Sequence, residues 1–158
     1  MQFNYKTLAA GNPIARGERI LCMTPQRQLL EDSLACFPAP PRRHEGYLAA
    51  LYAPSIVFHG YAGVEPGLAS VTAFYEALWS AFPDARLVLH DVVEQSGRIT
   101  CRFTLTGTHR GEFAGVPPTG RAIAMDGITI LRFAGGQCVE RGSQSDFSGL
   151  MAQLTQSA

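Results

Sequence analysis

The sequence predicts an α+β domain in which helices pack on one face of a curved, mostly antiparallel sheet and enclose a deep pocket. Three observations carry this expectation. Apolar residues recur at helical spacing in the first half of the chain and alternate in strand fashion after Asp84. The later strands are joined by brief turns, Gln95-Ser96-Gly97 and Ala134-Gly135-Gly136, and such short connections demand antiparallel neighbours. The strands are also long, so their twist must curl the sheet and leave a hollow beneath the helices.

The elements follow in order. Residues 1–20 show no period and read as an N-terminal arm, with a single domain over residues 21–158. Thr24-Pro25 is an N-cap followed by proline in the first helical turn, and Leu29, Leu30 and Leu34 continue at helical spacing. Pro38, Pro40 and Pro41 stop that helix. A second helix is expected over 43–53, with Tyr47, Leu48, Leu51 and Tyr52 on one stripe; Pro54 ends it and residues 55–59 form a short strand. Pro66-Gly67 opens a third helix whose stripe is Leu68, Val71, Phe74, Tyr75, Leu78 and Phe82, closed by Pro83. Strands are expected over 86–94, 98–109, 121–133 and 137–145, and Phe147, Leu150, Met151 and Leu154 mark a closing helix.

Composition narrows the function classes. Of 158 residues 46% are apolar and only 16% charged, so the chain folds, and much of its surface is covered by a pocket lining or a partner. Thirteen basic and thirteen acidic residues cancel, which argues against a nucleic-acid binder. Cys22, Cys36, Cys101 and Cys138 form no CxxC pair or zinc spacing and read as reduced core thiols. With no leader-like start and no apolar run of about 20 residues, a cytoplasmic protein that binds no membrane is expected. A sheet has two faces and the helices cover one, so a homodimer through the other face is expected as well.

No metal, nucleotide or nucleophile motif is present, which leaves acids, bases and hydrogen bonds in a pocket. The candidate catalytic residues are His59, His109, Asp126 and Asp146. His59 and His109 each end a strand near Gly60 or Gly107, where ligand and backbone can approach closely. His59 is either a pocket acid/base or a hydrogen-bonded core residue; His109 either faces a ligand or is an exposed strand end. Asp126 interrupts a strand, and Asp146 is a candidate acid or the N-cap of the last helix, the cap being favoured. Both histidines are expected to enter one hollow, close to Asp126 or Asp146. Tyr61, Phe113, Trp79 and Gln144 are the candidate substrate contacts, while Arg121, Arg132 and Arg141 read as strand-surface or interface residues.

The run from Thr106 through His109, Phe113, Pro117 and Pro118 to Arg121 resembles the central signature of SnoaL-like polyketide cyclases, TGTHxGxFxGxPPTGR. Phe58-His59-Gly60, Phe74-Tyr75, Ala81-Phe82-Pro83-Asp84, Arg132-Phe133, Val139-Glu140 and Asp146 with Gly149-Leu150 stand in matching order. The resemblance implies a nuclear transport factor 2-like cone, commonly dimeric. It also implies an intramolecular aldol condensation on a hydrophobic polyketide ester, with an aspartate as acid/base and neither metal nor cofactor. Two positions depart from the pattern. Gly120 stands where some cyclases carry an aspartate, and Glu140-Arg141-Gly142 stands where many relatives have a motif like EHW; Gly142 enlarges the pocket if it faces inward. Alternatives on the same cone are an isomerase, an epoxide hydrolase using Asp126, Arg132 and Asp146, or a non-catalytic module for a hydrophobic small molecule.

Overall fold

The computed structural model describes residues 24–37 and 44–156. The N-terminal arm, Cys22 and the proline stop after the first helix lie outside them, as do the side chains of Cys36 and Tyr47. Helix α1 (Pro25–Cys36) starts as expected, with Thr24 Oγ1 accepting from the Arg27 N–H at 3.2 Å. Helix α2 (His44–Leu51) runs directly into strand β1 (Tyr52–His59). Pro54 therefore sits inside a strand and does not terminate the helix. It is tolerated because β1 is an edge strand whose register slips between Tyr52 and Val57.

Helix α3 (Leu68–Ala81) buries Val71, Tyr75, Leu78 and Trp79, and four longer strands follow: β2 (Arg86–Gln95), β3 (Arg98–Thr108), β4 (Ala122–Ala134) and β5 (Gln137–Ser145). They form one five-stranded sheet in the order β1-β5-β4-β3-β2, antiparallel except where β1 lies parallel to β5. Helix α4 (Phe147–Thr155) closes the chain, capped by Asp146, which accepts from the Gly149 N–H at 2.8 Å.

Two bulges set which side chains face the helices. In β2 the register shifts between Leu89 and Asp91, and in the β4–β5 pair between Arg132 and Phe133. Phe133 pairs with Cys138, but Arg132 then pairs with Glu140 and Leu131 with Arg141, so Val139 is the extra residue. A single inserted residue exchanges the two faces of a strand. Below the bulge Cys138 is buried; above it Arg141, Ser143 and Ser145 turn inward and Glu140 and Gly142 turn outward.

The core gathers Leu48, Ile56, Val71, Phe82, Ile99, Leu131 and Leu150 under the helices. Cys101 and Cys138 are buried free thiols, as expected, and burial pushes the Cys138 thiol up to about 11. The opposite face of the sheet leaves Val88, Val93, Ile128 and Ile130 exposed. Among the described residues no helix is long and apolar enough to cross a membrane.

The loop that follows β3 is pinned to the end of α3. The N–H groups of Arg110 and Gly111 both donate to Ala81 O, and a Cβ on Gly111 would stand 2.3 Å from Ser80 O, so only glycine fits. Asp84 adds a second tie, accepting from Thr108 N–H at 2.7 Å and Thr108 Oγ1–H at 2.6 Å. These bonds hold its carboxyl below the ordinary 3.8, the side-chain bond contributing most. A carboxyl with a depressed folded-state pKa contributes stability above its unfolded value and loses it as pH falls through the folded one. Asp84→Ala is therefore expected to melt below wild type at neutral pH. The two melting temperatures should converge as the pH drops below about 4.

Candidate functional site

Between α3, α4 and the concave face of the sheet lies a cavity of about 510 Å³. Its wall is mostly hydrocarbon: Phe74 and Leu78 from α3, Phe103 and Leu105 from β3, Met125 from β4, and Leu150 from α4. The volume and lining suit a compound of several fused or folded rings. Among the described residues that line it there is no carboxylate and no histidine.

The polar groups are concentrated on β5, where the bulge turns them inward. Arg141 lies at the centre. Its Nε donates to Thr129 Oγ1 at 3.1 Å, and its Nη1 donates to Tyr52 Oη at 2.7 Å and to Tyr75 Oη. The guanidinium carbon stands 5.5 Å from the Phe58 ring centre and 5.9 Å from that of Tyr61. A connected chain runs outward from it: Tyr61 Oη donates to Ser143 Oγ at 2.7 Å, Ser143 Oγ to Thr129 Oγ1 at 2.7 Å, and Thr129 Oγ1 to Gly142 O at 3.2 Å. A second void of about 30 Å³, large enough for one water, lies on the α1 side of the same guanidinium.

Charge makes this wall unusual. No described carboxylate pairs with Arg141; the ion pairs among the described residues lie elsewhere. Burial opposes the charge on Arg141, yet the oxygens of Tyr52, Tyr61 and Tyr75 outweigh it, and its pKa stands above the usual arginine range. Burial pushes Tyr52 and Tyr75 above the ordinary tyrosine value despite the opposing pull of Arg141, so both phenols are neutral at physiological pH. Among the described residues the cavity therefore holds one formal positive charge, solvated by neutral oxygens and ring faces. Desolvating such an ion without a counter-charge costs on the order of several kcal/mol.

The structure separates the predicted catalytic residues. His59 points away from the cavity, on the exposed face, its Nε2 3.9 Å from Glu140 Oε2; Ile56 and Phe58 take the inward positions of β1. Asp126 is exposed on the same outer face and accepts from Thr104 Oγ1, whose oxygen also contacts His90 Nε2 at 2.7 Å. Asp146 is exposed and serves as the α4 cap. His109 is fully buried, neither a strand-end surface residue nor part of the cavity wall. Its Nδ1 accepts from the Thr119 N–H at 3.3 Å and lies 3.0 Å from Thr119 Oγ1, and its ring packs on Phe82 at 5.4 Å. The two histidines do not share a hollow. Arg132 bonds Glu140 on the outer face, so Asp126, Arg132 and Asp146 do not converge as an epoxide hydrolase requires.

The substrate-contact candidates fare differently. Tyr61 and Phe113 line the cavity, and exposed Gln144 stands at its rim. Trp79 lies one layer behind, stacked on Tyr75 at 5.3 Å. Arg121 donates to Gln153 O at 3.1 Å and fastens α4. Arg141, read from sequence as a surface or interface residue, is the charged centre of the site. Among the described residues no three His, Cys, Asp or Glu side chains cluster as a metal would need.

The profile of the SnoaL-like polyketide cyclases matches residues 41–154. The chain belongs to that family. It is 32% identical over 71 residues to aklanonic acid methyl ester cyclase AcmA of Streptomyces galilaeus, a match covering 45% of this chain and 49% of that one. Nogalonic acid methyl ester cyclase of Streptomyces nogalater is 26% identical over 101 residues, covering 64% of this chain and 74% of the relative. The chain thus spans about half of one of these relatives and three quarters of the other. The structure of TsrD from Streptomyces laurentii superposes with a TM-score of 0.74 at 26% identity, covering 85% of this chain and 98% of that one. The fold is the expected nuclear transport factor 2-like cone.

Within this SnoaL-like chain the two departures from the family pattern take definite positions. Gly120 holds a left-handed φ of 71° in the loop after β3, and its N–H donates to His109 O. Gly142 pairs with Ile130 on the outer face, so its missing side chain opens no space in the cavity. The signature histidine locks the Pro117-Pro118 loop against α3, a stabilising role. His109→Ala is expected to lower stability by about 1–3 kcal/mol, seen as a drop of several degrees in melting temperature. His59→Ala should move the melting temperature and ligand affinity little, within about 0.5 kcal/mol.

Proposed function

We propose that this chain is a cyclase-type enzyme that closes a ring on a bulky, largely apolar polyketide carbonyl compound. The observation that carries the reading is the apolar cavity of about 510 Å³ with the charged Arg141 on one wall. Two of its relatives are cyclases of aklanonic and nogalonic acid methyl esters, which fits that volume and hydrophobicity.

Ring closure of the aldol type needs a proton removed beside one carbonyl and the resulting enolate carbon added to another. The C–H electron pair moves onto the first carbonyl oxygen, and the proton leaves to water. The new carbon–carbon bond then pushes a pair onto the second carbonyl oxygen, which takes up a proton. Both intermediates carry negative oxygen, and a preorganised donor facing that oxygen accelerates the reaction. Arg141 supplies the donor, backed by the neutral phenols of Tyr52 and Tyr75. Polyketide carbonyls flanking one carbon ionise readily, so electrostatic stabilisation of the enolate replaces the histidine–aspartate pair expected from sequence.

With aklanonic or nogalonic acid methyl ester as substrate, Arg141→Gln should lower kcat about a hundred- to a thousand-fold. A second reading, a non-catalytic carrier for hydrophobic compounds, is favoured by the missing carboxylate and histidine in the described lining. Wild-type protein that binds the esters but releases them unchanged would establish the carrier and overturn the enzyme.

We propose further that a second copy of the chain covers the outer sheet face, where Val88, Val93, Ile128 and Ile130 are exposed. Sedimentation should give a dimer for wild type and a monomer for Ile128→Lys; a wild-type monomer at millimolar protein would rule this out.

A further inference from the structure

A guanidinium has five N–H donors. In Arg141 the Nε–H goes to Thr129 and the two Nη1–H groups go to Tyr52 and Tyr75, which leaves the two donors of Nη2 without a partner among the described residues. The Tyr52 and Tyr75 oxygens lie 3.0 Å apart, so one phenol proton bridges them and the other has no acceptor among the described residues. Among the described residues the side chains that approach the group are neutral: Tyr52 from β1, Tyr75 from α3, Thr129 from β4, and the rings of Phe58 and Tyr61. The nearest carboxylate along the chain, Glu140, is turned to the opposite face by the bulge and held there by Arg132.

The surface that Arg141 retains lines the cavity. A neutral carbonyl would accept from the spare donors but leave the charge unbalanced, whereas a compact anion would satisfy both at once. Arginine also offers a planar pair of N–H groups that a two-oxygen anion matches.

From this we infer that the cavity selects ligands that carry an anionic oxygen when they bind, either a free carboxylate or an ionised enol or phenol, and seats that oxygen on Arg141. The inference rests on the cavity reading given above and adds to it the charge state of the substrate. The named relatives act on methyl esters, in which the carboxyl charge is masked. Here a free acid, or an ester whose enol has already ionised, is the preferred form.

Three fluorescent probes of one size distinguish these cases: anthracenecarboxylic acid, its methyl ester, and an anthracenol. Binding to the full chain is measured by fluorescence titration between neutral and alkaline pH. The acid binding at least ten-fold more tightly than its ester would assign the carboxylate. The two binding alike, with the anthracenol ionising at lower pH when bound than when free, would assign the enolate or phenolate. Either preference should vanish in Arg141→Met and persist in Arg141→Lys, with melting curves showing that both variants fold. Equal affinity for all three probes without a shift in ionisation, or saturable binding of none, overturns the inference. Turnover of a polyketide methyl ester by the same preparation then shows whether the cyclase reading stands without it.

Discussion

One ion organises this molecule. The Arg141 guanidinium cannot shed its proton, and it sits where hydrocarbon would otherwise close the cone. Its hydrogen bonds draw together four elements: β1 through Tyr52, α3 through Tyr75, β4 through Thr129, and β5 itself. The stacking of Tyr75 on Trp79 and the contacts of Phe58 with Tyr52 and Tyr61 continue outward from that centre.

The surrounding framework has a division of labour. The loop between β3 and β4 adds the Phe113 ring to the cavity wall and ties the sheet to the end of α3 through Ala81, Asp84, His109 and Thr119. The apolar walls come from α3, β3 and α4, whose positions depend on those ties. The polar side chains of the wall are gathered on β5 and the loop bearing Tyr61, so its shape and its hydrogen-bonding groups are supplied largely by different parts of the chain.

The elements that could be read from sequence are those governed by local rules. The α3 stripe, the Thr24 and Asp146 caps, the glycine turns and the four alternating strands all follow from spacing and backbone preference. Helix α2 and β1 blurred because Pro54 is a helix breaker in one context and an edge-strand residue in the other. The site failed to show itself for a sharper reason. Strict alternation from buried Cys138 puts Glu140, Gly142 and Gln144 on the inner face and Arg141 outside. Nothing in the residues Gln137 to Ser145 marks Val139 as the extra one. His59 and Asp126 were legible as polar residues in apolar strands, but which face is buried depends on where the helices land.

The bulge at Val139 also bears on how such a pocket diversifies. Deleting Val139 would keep Glu140 paired with Arg132 and Arg141 with Leu131, and so leave Arg141 inward; drawing Val139 into the ladder as an ordinary strand residue would restore plain alternation and exchange Arg141, Ser143 and Ser145 for Glu140, Gly142 and Gln144 along the cavity wall. The wall would change from cationic to anionic with no substitution at any position that contacts ligand. In this cone the charge on the cavity wall is encoded in whether one backbone unit of β5 stands outside the ladder, so a shift of register, with the composition of the strand unchanged, is enough to reverse it.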